Sequence, residues 1–124
     1  MIDFKNGKLV KLVSVENDKY EKLINPILAD GENIVYSFKG VRDGVVFTNK
    51  RVIAINIQGV TGTKKDIASL PYSKIQAFSV ETAGIFDIES ELELWFSSLG
   101  VVRFEFLKNA HITKICRLIS GNIL

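Results

Sequence analysis

Three groups of residues in this 124-residue chain have types that could do chemistry. The first is His111 with Cys116, the single histidine and the single cysteine, which are the parts of a thiolate–imidazole pair. On one helix, residues five apart point about 140° away from each other. The two therefore do not pair, and Cys116 reads as a small core residue. A zinc site needs three or four clustered ligands, which the chain does not offer. The second group is Gly59-Val60-Thr61-Gly62-Thr63-Lys64-Lys65, which has the glycines and lysines of a phosphate loop. Its spacing does not match G-x-x-x-x-G-K-[ST], and a strand follows where a phosphate loop would open a helix. It reads as a β-turn. The third group is Glu89, Glu91 and Glu93. At alternate positions they form one solvated strand face, and nothing beside them turns one into a general acid. No catalytic, metal or cofactor set is expected, and the chain reads as non-enzymatic. Trp95 is the most informative residue left. It lies on the same acid-lined face. Either the C-terminal helix or the N-terminal segment covers it, or it belongs to a protein interface, where Trp and Arg are enriched.

The elements that must carry these residues follow from pattern. Val45-Val46-Phe47 and Val52-Ile53-Ala54-Ile55 flank the polar turn Thr48-Asn49-Lys50-Arg51, which predicts a β-hairpin pairing Phe47 with Val52 and Val46 with Ile53. Val46, Ile53, Ile55 and Ile57 fall on one face, and Phe47, Val52 and Ala54 on the other. Both faces are apolar, so both need cover. Before the hairpin, Tyr20, Leu23, Ile24, Ile27 and Leu28 form a helical stripe over 17–30. Asn17 or Asp18 is its expected cap, Pro26 should split it after Ile24, and Gly31 should close it. Residues 1–16 fit either a short basic amphipathic segment or a loose strand. Further strands are predicted over 34–41, 63–70 and 73–82. A loop over 82–90 carries Ile85, Phe86 and Ile88. A second hairpin turns at Ser98-Leu99-Gly100. That turn pairs Phe96 with Val102 and Leu94 with Phe104, and it sets Trp95 opposite Arg103 and Glu93 opposite Glu105. Trp95 and Arg103 would then form a cation–π pair. Asn109 should cap a last helix over 109–120, with Ile112, Ile115, Cys116 and Ile119 inward and Gly121 closing it. The sum is a mainly β, single-domain chain. Seven antiparallel strands over 34–107 form a barrel of two near-orthogonal sheets, and the C-terminal helix plugs one opening.

Bulk properties narrow the class. The chain is 47% hydrophobic and 24% charged, the balance of a soluble globular domain. A net charge of +2 does not imply nucleic acid. One cysteine allows no internal disulfide, which fits a reducing compartment. No apolar run approaches the roughly 20 residues of a membrane span, and the N-terminus lacks a signal-peptide core. A cytoplasmic protein is expected. The charges are segregated. From Lys39 to Ile75 there are seven bases against Asp43 and Asp66, and from Glu81 to Glu105 six acids against Arg103.

With the strands in order, the chain resembles the bacterial pleckstrin-homology (PH-like) domain family. The segments that carry the resemblance are Phe47-Thr48-Asn49-Lys50-Arg51, Gln58 to Lys65, Phe78-Ser79-Val80-Glu81-Thr82-Ala83-Gly84 within Ile75 to Phe86, and Glu91-Leu92 leading to Trp95. Pro26-Ile27-Leu28 and Asp30-Gly31-Glu32 join them. The resemblance implies a non-enzymatic, seven-stranded split barrel closed by a C-terminal helix, and a tendency to assemble into closed rings. The chain departs from the pattern at Ile85, where family members often carry histidine, and over residues 1–16. In eukaryotic relatives of the fold, a basic loop between the first two strands binds phosphoinositides. Here that loop is Arg42-Asp43-Gly44, short and with its charges cancelled, so the implication does not carry over.

The expected function is a self-association or scaffold module that closes head to tail into a homo-oligomeric ring. Trp95, Arg103, Phe86 and Ile85 are expected near the seam, with Glu91, Glu93 and Lys50 on its charged rim. The alternative is a membrane-surface or lipid-binding module, resting on the fold's relatives and the N-terminal lysines.

Overall fold

The computed structural model describes residues 1–4, 9–82, 89–108 and 111–124. Eight strands form one sheet in the order β5-β4-β3-β2-β1-β8-β7-β6. They are β1 (Leu9–Val15), β2 (Ile34–Lys39), β3 (Asp43–Thr48), β4 (Arg51–Gln58), β5 (Lys64–Pro71), β6 (Ile75–Thr82), β7 (Glu89–Phe96) and β8 (Gly100–Leu107). The chain is therefore mainly β and PH-like, as read from sequence, with three differences. Among the described residues there are eight strands rather than seven, they lie in one continuous sheet rather than two, and one pair is parallel. The extra strand is β1, from the segment left open between strand and amphipathic stretch. It pairs antiparallel with β2 and parallel with β8, joining the two halves of the barrel. Its core side is only Leu9 and Leu12, interrupted by a bulge and by Lys11 at φ 53°. That irregularity hides the period-2 alternation by which a strand is recognised.

The hairpin β3–β4 has the predicted register, with Phe47 opposite Val52 and Val46 opposite Ile53. Both of its faces are covered. Val45, Phe47, Val52 and Ala54 face the barrel core, where Phe38, Phe47, Phe104 and Phe106 bring β2, β3 and β8 together. Phe38 and Phe106 meet edge-on at 4.9 Å. Val46, Ile53 and Ile55 face out and are covered by Tyr20 and Ile24 in a second, smaller core. The covering segment is a 3-10 turn (Asn17–Tyr20), a short α1 (Glu21–Ile24) and a second 3-10 turn (Asn25–Ile27). Pro26 splits it after Ile24 as expected. Two details differ. Asn17 caps nothing; its amide donates to the Val35 carbonyl (3.1 Å) and accepts from the Ser37 hydroxyl (3.0 Å), which ties the segment to β2. Gly31, at φ 76°, serves a turn in which Glu32 N–H donates to the Ala29 carbonyl, after the helix has already ended at Ile27.

β5 and β6 are the two edges of the sheet, yet only Tyr72–Lys74 separate them in sequence. From Pro71 to Ile75 the chain can reach at most about 14 Å. The sheet must therefore curl until its edges nearly meet at this corner. Tyr72 holds the corner. Its N–H donates to the Lys50 carbonyl (3.1 Å) and its hydroxyl to the Thr48 carbonyl (2.7 Å). Helix α2 (Ile112–Ile123) packs on the same corner and sends Ile112, Ile115 and Ile119 into the barrel core. It runs through Gly121, which was expected to end it. Its N-cap is His111, in the left-handed region; the expected cap, Asn109, lies outside the described residues.

Candidate functional site: the outer face of β6, β7 and β8

The inner faces of β6–β8 are core, and the outer faces place the predicted residues in rows. Trp95 lies between Ala77 of β6 and Val101 of β8. Glu93 lies between Ser79 and Arg103, and Glu91 between Glu81 and Glu105. The register of the β7–β8 hairpin therefore differs from expectation by two residues. Phe96 pairs with Gly100, Leu94 with Val102 and Leu92 with Phe104. The turn is Ser97-Ser98-Leu99, and Gly100, at φ 85°, opens β8 instead of sitting in the loop. A shift of two leaves every side chain on its predicted face and changes its opposite number. The expected cation–π pair of Trp95 with Arg103 is not formed. Arg103 Nε donates to Glu93 Oε2 at 2.8 Å, and Ser79 Oγ donates to Glu93 Oε1 at 3.3 Å. The like-charge opposition expected of Glu93 falls instead on Glu91, with Glu105 on one side and Glu81 on the other.

Neither α2 nor the N-terminal segment buries Trp95. It is 48% exposed in an apolar row with Ala77 and Val101. Two rows away, beyond Ser79, Glu93 and Arg103, the face is acidic, and Glu81, Thr82, Glu89, Ser90, Glu91 and Glu105 line a shallow pocket of about 160 Å³. Trp95, Arg103, Glu91 and Glu93 are thus brought together on one surface. Lys50 is not on it. Lys50 is exposed in the β3–β4 turn, in the other half of the sheet. Ile85 and Phe86 lie outside the described residues. His111 is exposed at the start of α2, and Cys116 is half-buried, with burial pushing its thiol up. Among the described residues, no group of three or more His, Cys, Asp or Glu is placed to hold a metal ion, and no helix is long and apolar enough to cross a membrane.

One constellation escaped the sequence reading, although both its parts were in view. The Thr48-Asn49-Lys50-Arg51 turn is clamped to Asp30-Gly31-Glu32-Asn33. Glu32, with its side chain 1% exposed, accepts from Arg51 Nε (2.8 Å) and Nη2 (2.9 Å), from Thr48 Oγ1 (2.7 Å) and from the Ala29 N–H (2.9 Å). Arg51 also donates to the Ile27 carbonyl (2.7 Å) and to Ser69 Oγ (3.0 Å). Asn49 donates to the Gly31 carbonyl (3.0 Å) and accepts from the Asn33 N–H (2.8 Å). Burial alone would push the Glu32 carboxyl up. Its hydrogen bonds from Arg51, Ala29 and Thr48, with the Arg51 charge, outweigh burial and hold it at about 2. The opposed acid and base, 19 residues apart, were the available signal. This is a clamp whose hydrogen bonds join the two turns to each other.

The curled sheet with α2 packed at its corner defines a PH-like domain. The chain belongs to the bacterial PH domain family, whose model matches residues 3–123, a span that takes in most of the N-terminal segment that departed from the expected pattern. It is 40% identical over 120 residues to YjqA, an uncharacterised protein of Bacillus subtilis (strain 168), covering 95% of this chain and 96% of that one. It is 38% identical to a DUF1696-family protein with a pleckstrin-homology domain from Shewanella loihica PV-4. That match covers 93% of this chain and 99% of the other, with a TM-score of 0.79. A pleckstrin-homology domain from Shewanella amazonensis SB2B is also 38% identical, covering 96% and 93%, with a TM-score of 0.65.

Proposed function

We propose that the protein is a non-catalytic self-association module whose outer β6–β8 face docks on the basic half of a second copy, closing head to tail into a ring. The observation that carries this reading is Trp95, half-exposed between Ala77 and Val101, with Glu93 and Arg103 in the next row and Glu81, Glu91 and Glu105 in the row beyond. A large aromatic side chain left uncovered on a rigid strand, with charge around it, has the composition of an interface anchor and its rim. The basic bordering groups lie elsewhere on the same molecule, with Lys50 at the β3–β4 turn. Two unlike patches on one chain favour a heterologous contact, which closes into a ring when the rotation allows. Light scattering coupled to size-exclusion chromatography tests it. The wild type should elute as a closed multimer at micromolar concentration, and Trp95→Ser should shift it towards monomer with its fold intact. A wild-type monomer, or a two-fold dimer as the largest species, overturns the reading.

A further inference from the structure

We propose that the cleft between the start of the helical segment and the start of α2 binds a short zwitterionic peptide, a role separate from self-association. The cleft holds about 400 Å³, within the range of small-molecule sites. Its charged side chains come from two places. Glu16 and Asp18 stand where β1 runs into the first 3-10 turn, and His111 and Lys114 stand at the start of α2. Opposite charges that can reach each other across a surface form pairs. Among the described residues, Glu16, Asp18 and Lys114 enter no ion pair. The cleft therefore brings acids and an ammonium to one site and keeps them out of each other's reach. A ligand with a charge of each sign can satisfy both ends at once.

The rest of the lining has an apolar part, Val15, Val35 and Tyr36, each partly buried. Both ends of the cleft are held in place. Asn17, between the two acids, is bonded to the Val35 carbonyl (3.1 Å) and the Ser37 hydroxyl (3.0 Å), and Val15 pairs with Ser37 across β1 and β2. The start of α2 is anchored by the buried Ile112 and Ile115, and the Ile115 N–H donates to the His111 carbonyl (3.1 Å). A site formed before the ligand arrives loses little to ordering on binding. The chemistry selects the ligand. Its ammonium suits Glu16 and Asp18, its carboxylate suits Lys114 with His111 as an N–H donor, and an apolar body suits the valines and the tyrosine ring. A free amino acid carries its two charges side by side and does not span ends that fail to pair. An extended peptide of two or three residues sets its termini about 7–11 Å apart and brings side chains for the apolar part. A polyamine or an inorganic anion satisfies one end and opposes the other.

The test is a titration of the full chain with trialanine, read by saturation transfer from protein to peptide, which works at any oligomer size. Binding should saturate. N-acetyl-trialanine and trialanine amide should each bind about fivefold more weakly, the loss expected for one exposed ion pair. Glu16→Gln with Asp18→Asn should weaken trialanine about fivefold and leave the acetylated peptide as it was. Lys114→Gln should weaken trialanine to a similar degree and leave the amide as it was. All three positions are exposed, so circular dichroism should not change. Trp95→Ser should bind trialanine as the wild type does, which separates this proposal from the ring. It is overturned if trialanine shows no saturable binding up to about 10 mM, if the blocked peptides bind as tightly as the free one, or if the charge variants weaken free and blocked peptides alike.

Discussion

At the scale of single residues, Glu32 has the sharpest energetics. Its carboxyl is held at about 2 against an ordinary value of 4.5, a difference on the order of 3 kcal/mol in favour of the folded chain. Because the folded value is the depressed one, this stability is complete above pH 4.5. It is lost as pH falls from about 4.5 towards 2. Denaturation followed between pH 6 and pH 2 should show that loss in the wild type, and Glu32→Gln should lack most of it. Glu32→Ala at neutral pH removes the carboxylate that neutralises the half-buried Arg51 and should cost about 3 kcal/mol, read as a lower melting temperature. The Arg103–Glu93 pair makes the contrast. Its side chains are 40% and 29% exposed, so Arg103→Gln should change stability by less than about 1 kcal/mol.

At the scale of elements, two contacts hold the helical parts to the sheet. A Cβ on Gly44 would lie 2.6 Å from the Tyr20 hydroxyl, so this glycine is the floor on which Tyr20 rests. Gly44→Ala must displace a buried tyrosine and should cost about 1–3 kcal/mol in chemical denaturation. The helix α2 depends on Ile115 and Ile119, both fully buried among the barrel phenylalanines. An aspartate at either position buries a charge without a partner and should cost several kcal/mol, enough to unfold a small domain. A variant with wild-type thermal stability would show that α2 does not close the barrel.

At the scale of the whole molecule, the segregation of charge matters most. The basic run and the acidic run fall in different halves of one sheet, and β1 joins them. Rim charges set orientation and rate while apolar anchors supply affinity. Salt should therefore slow assembly in stopped-flow light scattering without abolishing the assembled species. Glu91→Lys should weaken assembly further by opposing base to base.

By itself the sequence determined the fold class, the β3–β4 register, the two covered faces of that hairpin, the split of the helical segment at Pro26 and the inward stripe of α2. These are local matters of periodicity and backbone chemistry, which act over a few residues. Tertiary structure alone decided the rest. The face of Trp95 was legible from alternation, whereas its neighbour across the hairpin depended on where the turn closed, and Gly100 fits both choices. β1 became a strand because β2 and β8 each left an edge for it, despite an irregular pattern of its own. Glu32 and Arg51 lie 19 residues apart, and the turn over Ala29–Glu32 and the β3–β4 turn must both form before they meet. Sequence separation carries no such information, because a long-range ion pair is chosen by the packing that buries it.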